Sequence, residues 1–345
     1  MIQPTPTQNS EPKTQNLVLG IDAGNTKTIA LIAHSSGQVL GWGRGGQANI
    51  YVSKTDALAA IDKAVLEALS MAGVPADLLR SSVLSATGAD WPEDFVLLRA
   101  ELEKHAWGER IQVVNDAVGA LRAGSPDFTG VMVVCGTSAG IAARNSSGPF
   151  AEKRVWHSSY WQEPEGAEQL GQKTLRAVYR AELGIDPPTT LTQRVLEHFA
   201  ASSVEAVLHA QTRRNAAPNF GQQTGRLARA LLDEAALGDC TALKIVQEHA
   251  SSLGDYALAA ARRVGLEHTF PLVTAGGVMR HRSKLLQHHL LERVRRDFPD
   301  VGLLESRFEP VVGAVLLALD ALGPVSSEVY SALEGSLPPA ALFET

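Results

Sequence analysis

The chain has 345 residues, 45% of them hydrophobic and 20% charged, and a net charge of −6. That length predicts about two domains, each able to bury a core, and the acidic balance leaves no broad basic surface for nucleic acid. Its two cysteines, Cys135 and Cys240, form no C-x-x-C pair, which argues against a disulfide framework, a zinc site or an iron–sulfur cluster and fits a reducing, cytoplasmic setting.

The opening MIQPTPTQNSEPKTQN, residues 1–16, lacks an apolar core and a basic start, so a disordered tail is expected there rather than a signal peptide or anchor. Leu17–Ile21, Thr28–Ala33 and Val39–Gly43 read as three short strands joined by turns at Ala23–Lys27 and Ser35–Gln38, an antiparallel meander. A helical period from Lys54 to Ala72 follows, then a strand at Val83–Ala86, a helix around Phe95–His105 and a strand at Ile111–Asn115, so that strands and helices alternate. From Gly130 the stretch GVMVVCGTSAGIAARNSSG repeats the opening arrangement of apolar run, Gly/Thr/Ser turn and second apolar run, a weak internal duplication. Glu165 to Arg263 is mostly helical in its periodicity. A last strand in PLVTAGGV, a helix from Lys284 to Asp297 and an apolar helix from Pro310 to Leu322 complete the pattern. The longest apolar stretch, Val311–Leu319, is far short of the roughly 20 residues that cross a bilayer, so no membrane span is expected.

The chemistry gathers at the turns. Gly24, Asn25, Thr26, Lys27 and Thr28 close a hairpin with small, donor-rich residues, and Gly136, Thr137, Ser138, Ala139 and Gly140 do the same in the repeat. Two such hairpins facing each other across a cleft would clamp a polyphosphate, although each composition also suits an ordinary hairpin. Neither turn matches a Walker or dinucleotide fingerprint. Asp22 ends a strand just before the first turn. Asp116 ends another, and a carboxylate there can accept the proton of an attacking hydroxyl or cap the helix starting at Ala117.

The segments GIDAGNTKT, VVNDAVGAL, VVCGTSAG and TAGGV stand in the order and approximate spacing of the BadF/BadG/BcrA/BcrD-type ATPase family. From about Leu17 to Leu322 the chain resembles the N-acetylglucosamine kinase branch of that family, within the actin-like ATPase superfamily of sugar kinases and heat-shock ATPases. The resemblance implies an α/β, two-lobed actin-like ATPase (ribonuclease H-like) fold with a duplicated mixed sheet. Residues 17–117 would form the N-terminal lobe and residues 118–345 a C-terminal lobe with a helical insertion. It implies ATP and Mg²⁺ as cofactors. Asp22 and the turn Gly24, Asn25, Thr26, Lys27, Thr28 would be the first phosphate loop, with Asp22 holding the metal through water and Lys27 either adding charge or standing in solvent. Asp116 would be the catalytic base. Gly136, Thr137, Ser138 and Gly140 would form the second phosphate loop, Ala275, Gly276, Gly277 and Val278 would lie against the adenosine, and the helix at Pro310–Leu322, with Gly313 and Ala314 allowing close packing, would connect the lobes at the hinge.

For the acceptor, the resemblance brings the loops at Gln47–Asn49 and Thr87–Asp90 to the sugar. Asn49, Thr87, Gly88, Asp90, Asn115, Trp156 and Glu165 are the substrate candidates. Sugar kinases of the family carry Gly-Gly-Trp-Gly and then Gly-Asp-Glu-Gly, where this chain has Val155-Trp156-His157-Ser158 and Gln162-Glu163-Pro164-Glu165-Gly166. Trp156, Glu165 and Gly166 are retained; the other glycines and the aspartate are not, which leaves the acceptor open. The expectation is an ATP-dependent kinase acting on a small sugar, N-acetylglucosamine or a relative, cytoplasmic and homodimeric as related kinases often are. Two other readings stand beside it: a nucleotide or sugar sensor, and an activator ATPase of a CoA-ester dehydratase or reductase.

Overall fold

The computed structural model describes residues 16–146, 151–154, 163, 165–214 and 220–344. They fall into two units, one running up to Val114 and resuming at Ala314, the other from Asn115 to Gly313.

The first unit carries a five-stranded sheet. β1 (Leu17–Ala23), β2 (Thr28–His34) and β3 (Val39–Gly45) form the antiparallel meander, with Ala23 opposite Thr28 and Thr28 opposite Gly45. β4 (Leu79–Ala86) pairs in parallel with the other side of β1, and β5 (Arg110–Asn115) lies beyond it, in the order β3-β2-β1-β4-β5. α1 (Lys54–Ala72) begins where the Ser53 hydroxyl accepts from the Asp56 amide and stops at Gly73 in the left-handed conformation. It sets Ala60, Ala64 and Ala68 against Gly45, Gly43 and Gly41 of β3, small residue on small residue. Alternation along β1 sends Leu17, Leu19, Ile21 and Ala23 into the core with α1 and with Leu98 and Leu102 of α2 (Pro92–Lys104). Gly20 and Asp22 therefore share the opposite face. There Gly20 lies against the Val315 backbone of α10 (Pro310–Asp320), and Asp22 comes next at the strand's end, partly exposed.

The second unit repeats that plan. β6 (Gly130–Cys135), β7 (Ala139–Asn145) and β8 (Ala151–Arg154) are antiparallel neighbours, while β9 (Pro271–Ala275) and β10 (Gly302–Glu305) extend the sheet in parallel from β6. Its order, β10-β9-β6-β7-β8, is that of the first sheet element for element. α3 (Asp116–Gly124) packs on this sheet. The helical stretch resolves into α4 (Ala167–Glu182), α5 (Leu191–Phe199), α6 (Val204–Thr212), α7 (Phe220–Ala236) and α8 (Cys240–Arg263), and α9 (Leu285–Arg295) follows β9. Val131, Val133 and Cys135 of β6 enter one apolar core with Leu231, Val246, Leu253 and Leu290 of these helices.

The structure divides the chain differently from the sequence expectation. The segment from Ala314 onward belongs with the first unit rather than the C-terminal lobe. Packing explains it: besides the contact of Val315 with Gly20, α11 (Ser327–Gly335) sets the Val329 carbonyl against Gly37, Leu333 is buried, and the Ser336 hydroxyl accepts from the Val39 amide at 2.9 Å. The other division falls at Val114/Asn115 instead of after residue 117. No described helix is long and apolar enough to cross a membrane.

Candidate functional site

The first turn is a compact polar knot. Gly24 N–H donates to the Lys27 carbonyl at 2.9 Å, and the Thr28 hydroxyl, fully buried, donates to the Gly46 carbonyl at 2.9 Å. Asn25 ties the turn to two other loops: its amide donates to the Thr87 hydroxyl at 3.1 Å, and its carbonyl oxygen accepts from the Asn49 amide at 2.7 Å. Asn49 in turn accepts from the Tyr51 amide at 2.9 Å, and Thr87 N–H donates to the Ala23 carbonyl at 2.8 Å. The predicted phosphate turn and the predicted acceptor residues Asn49 and Thr87 thus form one hydrogen-bonded unit. Replacing Asn25 by Ala would strip a partner from both Thr87 and Asn49, so a loss of about 1–2 kcal/mol is expected in urea unfolding; an unchanged midpoint would mean that water replaces the amide at no cost.

Gly88, at φ +77°, follows Thr87, and Asp90 comes after it with its N–H on the Asp94 carboxylate at 3.2 Å. The same Asp94 oxygen accepts from the Trp91 amide at 2.8 Å and the Tyr51 hydroxyl at 2.7 Å, holding the two loops together at the start of α2. Sequence reading passed over Asp94, yet its signal is present: a carboxylate at the third helical position after Pro92 at the first.

In the second unit Asn115 ends β5, and Asp116 opens α3 instead of ending the strand. The Ala117 N–H is shared by the Asn115 side-chain oxygen at 3.1 Å and Asp116 Oδ1 at 2.9 Å, so both residues cap the helix. The helix start favours negative charge there. Asp116 Oδ1 stands 3.8 Å from where a Cβ on Gly140 would be, which places this carboxylate at the second hairpin.

That hairpin closes through Gly136 N–H to the Ser138 carbonyl at 2.9 Å, with Thr137 exposed at its tip and Gly140 already in β7, opposite Val134. The segment after β9 docks on its base. Val278 N–H donates to the Cys135 carbonyl at 3.1 Å, and Gly276, at φ +100°, passes so close that a Cβ would stand 2.4 Å from that same oxygen. Ala275 ends β9, and Gly277 faces open space. From the other side, Ala167 N–H donates to the Gly136 carbonyl at 2.8 Å, while a Cβ on Gly166 would meet the Gly136 and Thr137 carbonyls at 2.4 Å. Glu165 precedes it, partly buried, its N–H on the Gln169 side chain at 3.0 Å. The structure therefore gathers Asn115, Asp116, Gly136–Gly140, Glu165 and Ala275–Val278 within one unit, and Asp22, Gly24–Thr28, Asn49, Thr87, Gly88 and Asp90 within the other. Trp156 lies outside the described residues. Burial pushes the Cys135 thiol up to about 12, so it acts as a packing group.

A model of the BadF/BadG/BcrA/BcrD ATPase family matches residues 19–318. The chain belongs to this family. It is 28% identical over 320 residues to an N-acetyl-D-glucosamine kinase of Dictyostelium discoideum, covering 89% of this chain and 99% of that one. It is 24% identical over 303 residues to an N-acetylmuramic acid/N-acetylglucosamine kinase of Clostridium acetobutylicum, covering 87% and 97%. A ROK family glucokinase from Streptomyces griseus, solved with glucose and AMPPNP, superposes with a TM-score of 0.55 at 17% identity over 88% of this chain and all of that one, a likeness of fold. The fold is that of the actin-like ATPases.

The family match ends before α11, and the residues beyond it reach the first turn. Lys27 Nζ donates to the Phe343 carbonyl, and the Arg44 guanidinium donates to the Leu342 carbonyl at 3.2 Å and to the Glu344 carbonyl at 2.7 Å. Lys27 is thus tied to the C-terminal segment rather than purely solvated. Together with Thr26, Arg44, Lys63 and Glu67 it lines a cavity of about 440 Å³.

The residues suit a magnesium nucleotide. The second turn offers open backbone: a Cβ on Gly136 would meet nothing nearer than 3.9 Å, and one on Gly277 nothing within 4 Å. Asp22, partly exposed at the end of β1, would offer a hard oxygen of the kind Mg²⁺ takes when phosphates and water complete its shell.

Proposed function

We propose that this chain is an ATP-dependent kinase that moves the terminal phosphoryl group of ATP to a hydroxyl of an amino sugar, with N-acetylglucosamine the favoured acceptor. The observation that carries this is the Asp116 carboxylate, fixed at the start of α3 and beside Gly140 of the second turn. The names of the relatives support the amino-sugar class. Magnesium ATP supplies the phosphoryl group and most of the charge neutralisation. The backbone of Gly24–Thr28 and of Gly136–Ser138 would hold phosphate oxygens, Asp22 would hold the metal through water, and Gly276–Val278 would border the adenosine. Asn49, Thr87 and Asp90 would orient the sugar, the first two through the network that also fixes Asn25. Asp116 would take the proton of the attacking hydroxyl as the oxygen bonds to phosphorus and ADP departs.

Mass spectrometry of products tests the reading: with Mg²⁺ and ATP, N-acetylglucosamine is expected to gain one phosphoryl group faster than glucose. ADP formation with no phosphorylated amino sugar would defeat it. In calorimetry, Mg²⁺ with ATP is expected to raise Tm more than AMP does, because a ligand that binds the native state stabilises it by mass action. Equal shifts would remove the two phosphate turns from the account.

A further inference from the structure

His249 lies in the middle of α8 and is fully buried, yet no step of the proposed chemistry uses it. Both ring nitrogens are engaged. Lys173 Nζ, from α4, stands 3.2 Å from Nδ1, and Nε2 stands 2.9 Å from the Glu165 carbonyl oxygen. An ammonium has only donors and a carbonyl only accepts. The ring is therefore the tautomer with its proton on Nε2, accepting from Lys173 and donating to Glu165. Burial, with the neighbouring Lys173 charge, holds the ring's pKa down at about 3, so it is neutral at ordinary pH. Burial lowers the Lys173 pKa as well. A fully buried histidine held by a half-buried lysine is costly unless something is gained from it.

What it touches indicates the gain. Glu165 leads directly into Gly166 and Ala167, and these two residues press on the second turn: Ala167 N–H donates to the Gly136 carbonyl at 2.8 Å, and the Gly166 backbone abuts the Gly136 and Thr137 carbonyls. In a trans peptide the C=O and the following N–H point opposite ways. Fixing the carbonyls of Gly136 and Thr137 towards Gly166 and Ala167 aims the N–H groups of Thr137 and Ser138 away from α4. We propose that His249, with Lys173, is a positioning residue: it holds Glu165 and thereby sets the peptide orientations of the Gly136–Ser138 turn. That the turn serves nucleotide phosphates rests on the function proposed above; the brace itself does not.

Two half-mimics of histidine separate the contacts. The Gln amide falls where Nε2 was and keeps the bond to Glu165, whereas the Asn amide falls where Nδ1 was and keeps only the bond to Lys173. Hydrogen exchange of the full chain without ligand is read at the Gly136 and Ala167 amides, and ATP affinity is measured in parallel. His249→Asn is expected to speed exchange at both amides and to weaken ATP binding, each by about tenfold, the worth of one buried hydrogen bond. His249→Gln is expected to stay near wild type in both. Lys173→Met, which removes the donor that fixes the tautomer, is expected to speed exchange at the same two amides and covers the case in which His249→Asn does not fold. Equal exchange in the Asn and Gln variants, or Lys173→Met exchange like wild type, overturns the brace. The expected exchange pattern in a protein that does not bind ATP keeps the brace and removes the phosphate role instead.

Discussion

Asp116→Asn is expected to lower turnover about 10²–10⁴-fold with little change in ATP affinity, the usual worth of a general base. The substitution keeps the side-chain size and retains an oxygen to accept the Ala117 amide, now at 2.9 Å from Asp116 Oδ1, so the cap at the start of α3 survives. Asn115 provides a second acceptor for that same amide at 3.1 Å, which makes helix loss from the asparagine variant small. What disappears is the ability to take a proton. The nucleotide contacts assigned to Asp22 and the two turns are untouched, so the change should appear in kcat and leave the ATP Kd alone. Turnover of N-acetylglucosamine near the wild-type rate would show that Asp116 only caps its helix.

Much of the fold was legible because local rules and tertiary packing agree. The apolar run in LVLGIDA, stopping at Asp22, makes β1 a buried strand, and the Ser53 cap and the left-handed Gly73 bound α1 at Lys54 and Ala72, where its periodicity begins and ends. The repeated turn announced the second sheet. β10 escaped notice because its four residues are mostly exposed and carry no alternation of their own. α11 and the Phe343 contact escaped because what recruits them, Gly37, Val39, Lys27 and Arg44, lies some three hundred residues earlier. The same limit applies at the candidate site. Turn composition singled out Asn25 and Gly136, and the family resemblance Gly276, but only the folded chain reveals that Asn25 binds Thr87 and Asn49, or that Gly276 rests on Cys135. His249 reads in sequence as one polar residue on an apolar helix face, and its link to the second turn through Glu165 has no sequence signature at all.

Gly276→Ala is expected to destabilise the protein by about 2–5 kcal/mol, the sum of a forced positive φ and an overpacked backbone contact. At φ +100° an L side chain is strained even in open space. Here the added Cβ would also stand 2.4 Å from the Cys135 carbonyl oxygen, 2.5 Å from its carbon and 2.8 Å from the Gly136 nitrogen. These are backbone atoms of a central strand and its turn, and none can swing aside as a flexible side chain would. Cys135 is paired with Ala139 across the hairpin, so the strain passes into the Gly136–Ser138 turn or breaks the bond from Val278 N–H to the Cys135 carbonyl at 3.1 Å. Either outcome alters the border proposed for the nucleotide. Urea unfolding reads the stability, and ATP calorimetry on whatever remains folded reads the site, where a loss of at least about tenfold is expected. Gly277→Ala is the control, because its Cβ would meet nothing within 4 Å and the neighbouring backbone need not move. If both variants unfold alike, the tight packing of Gly276 on Cys135 does not govern this turn; if Gly276→Ala alone is destabilised and still binds ATP as wild type does, the loop after β9 is a structural clasp with no part in holding the nucleotide.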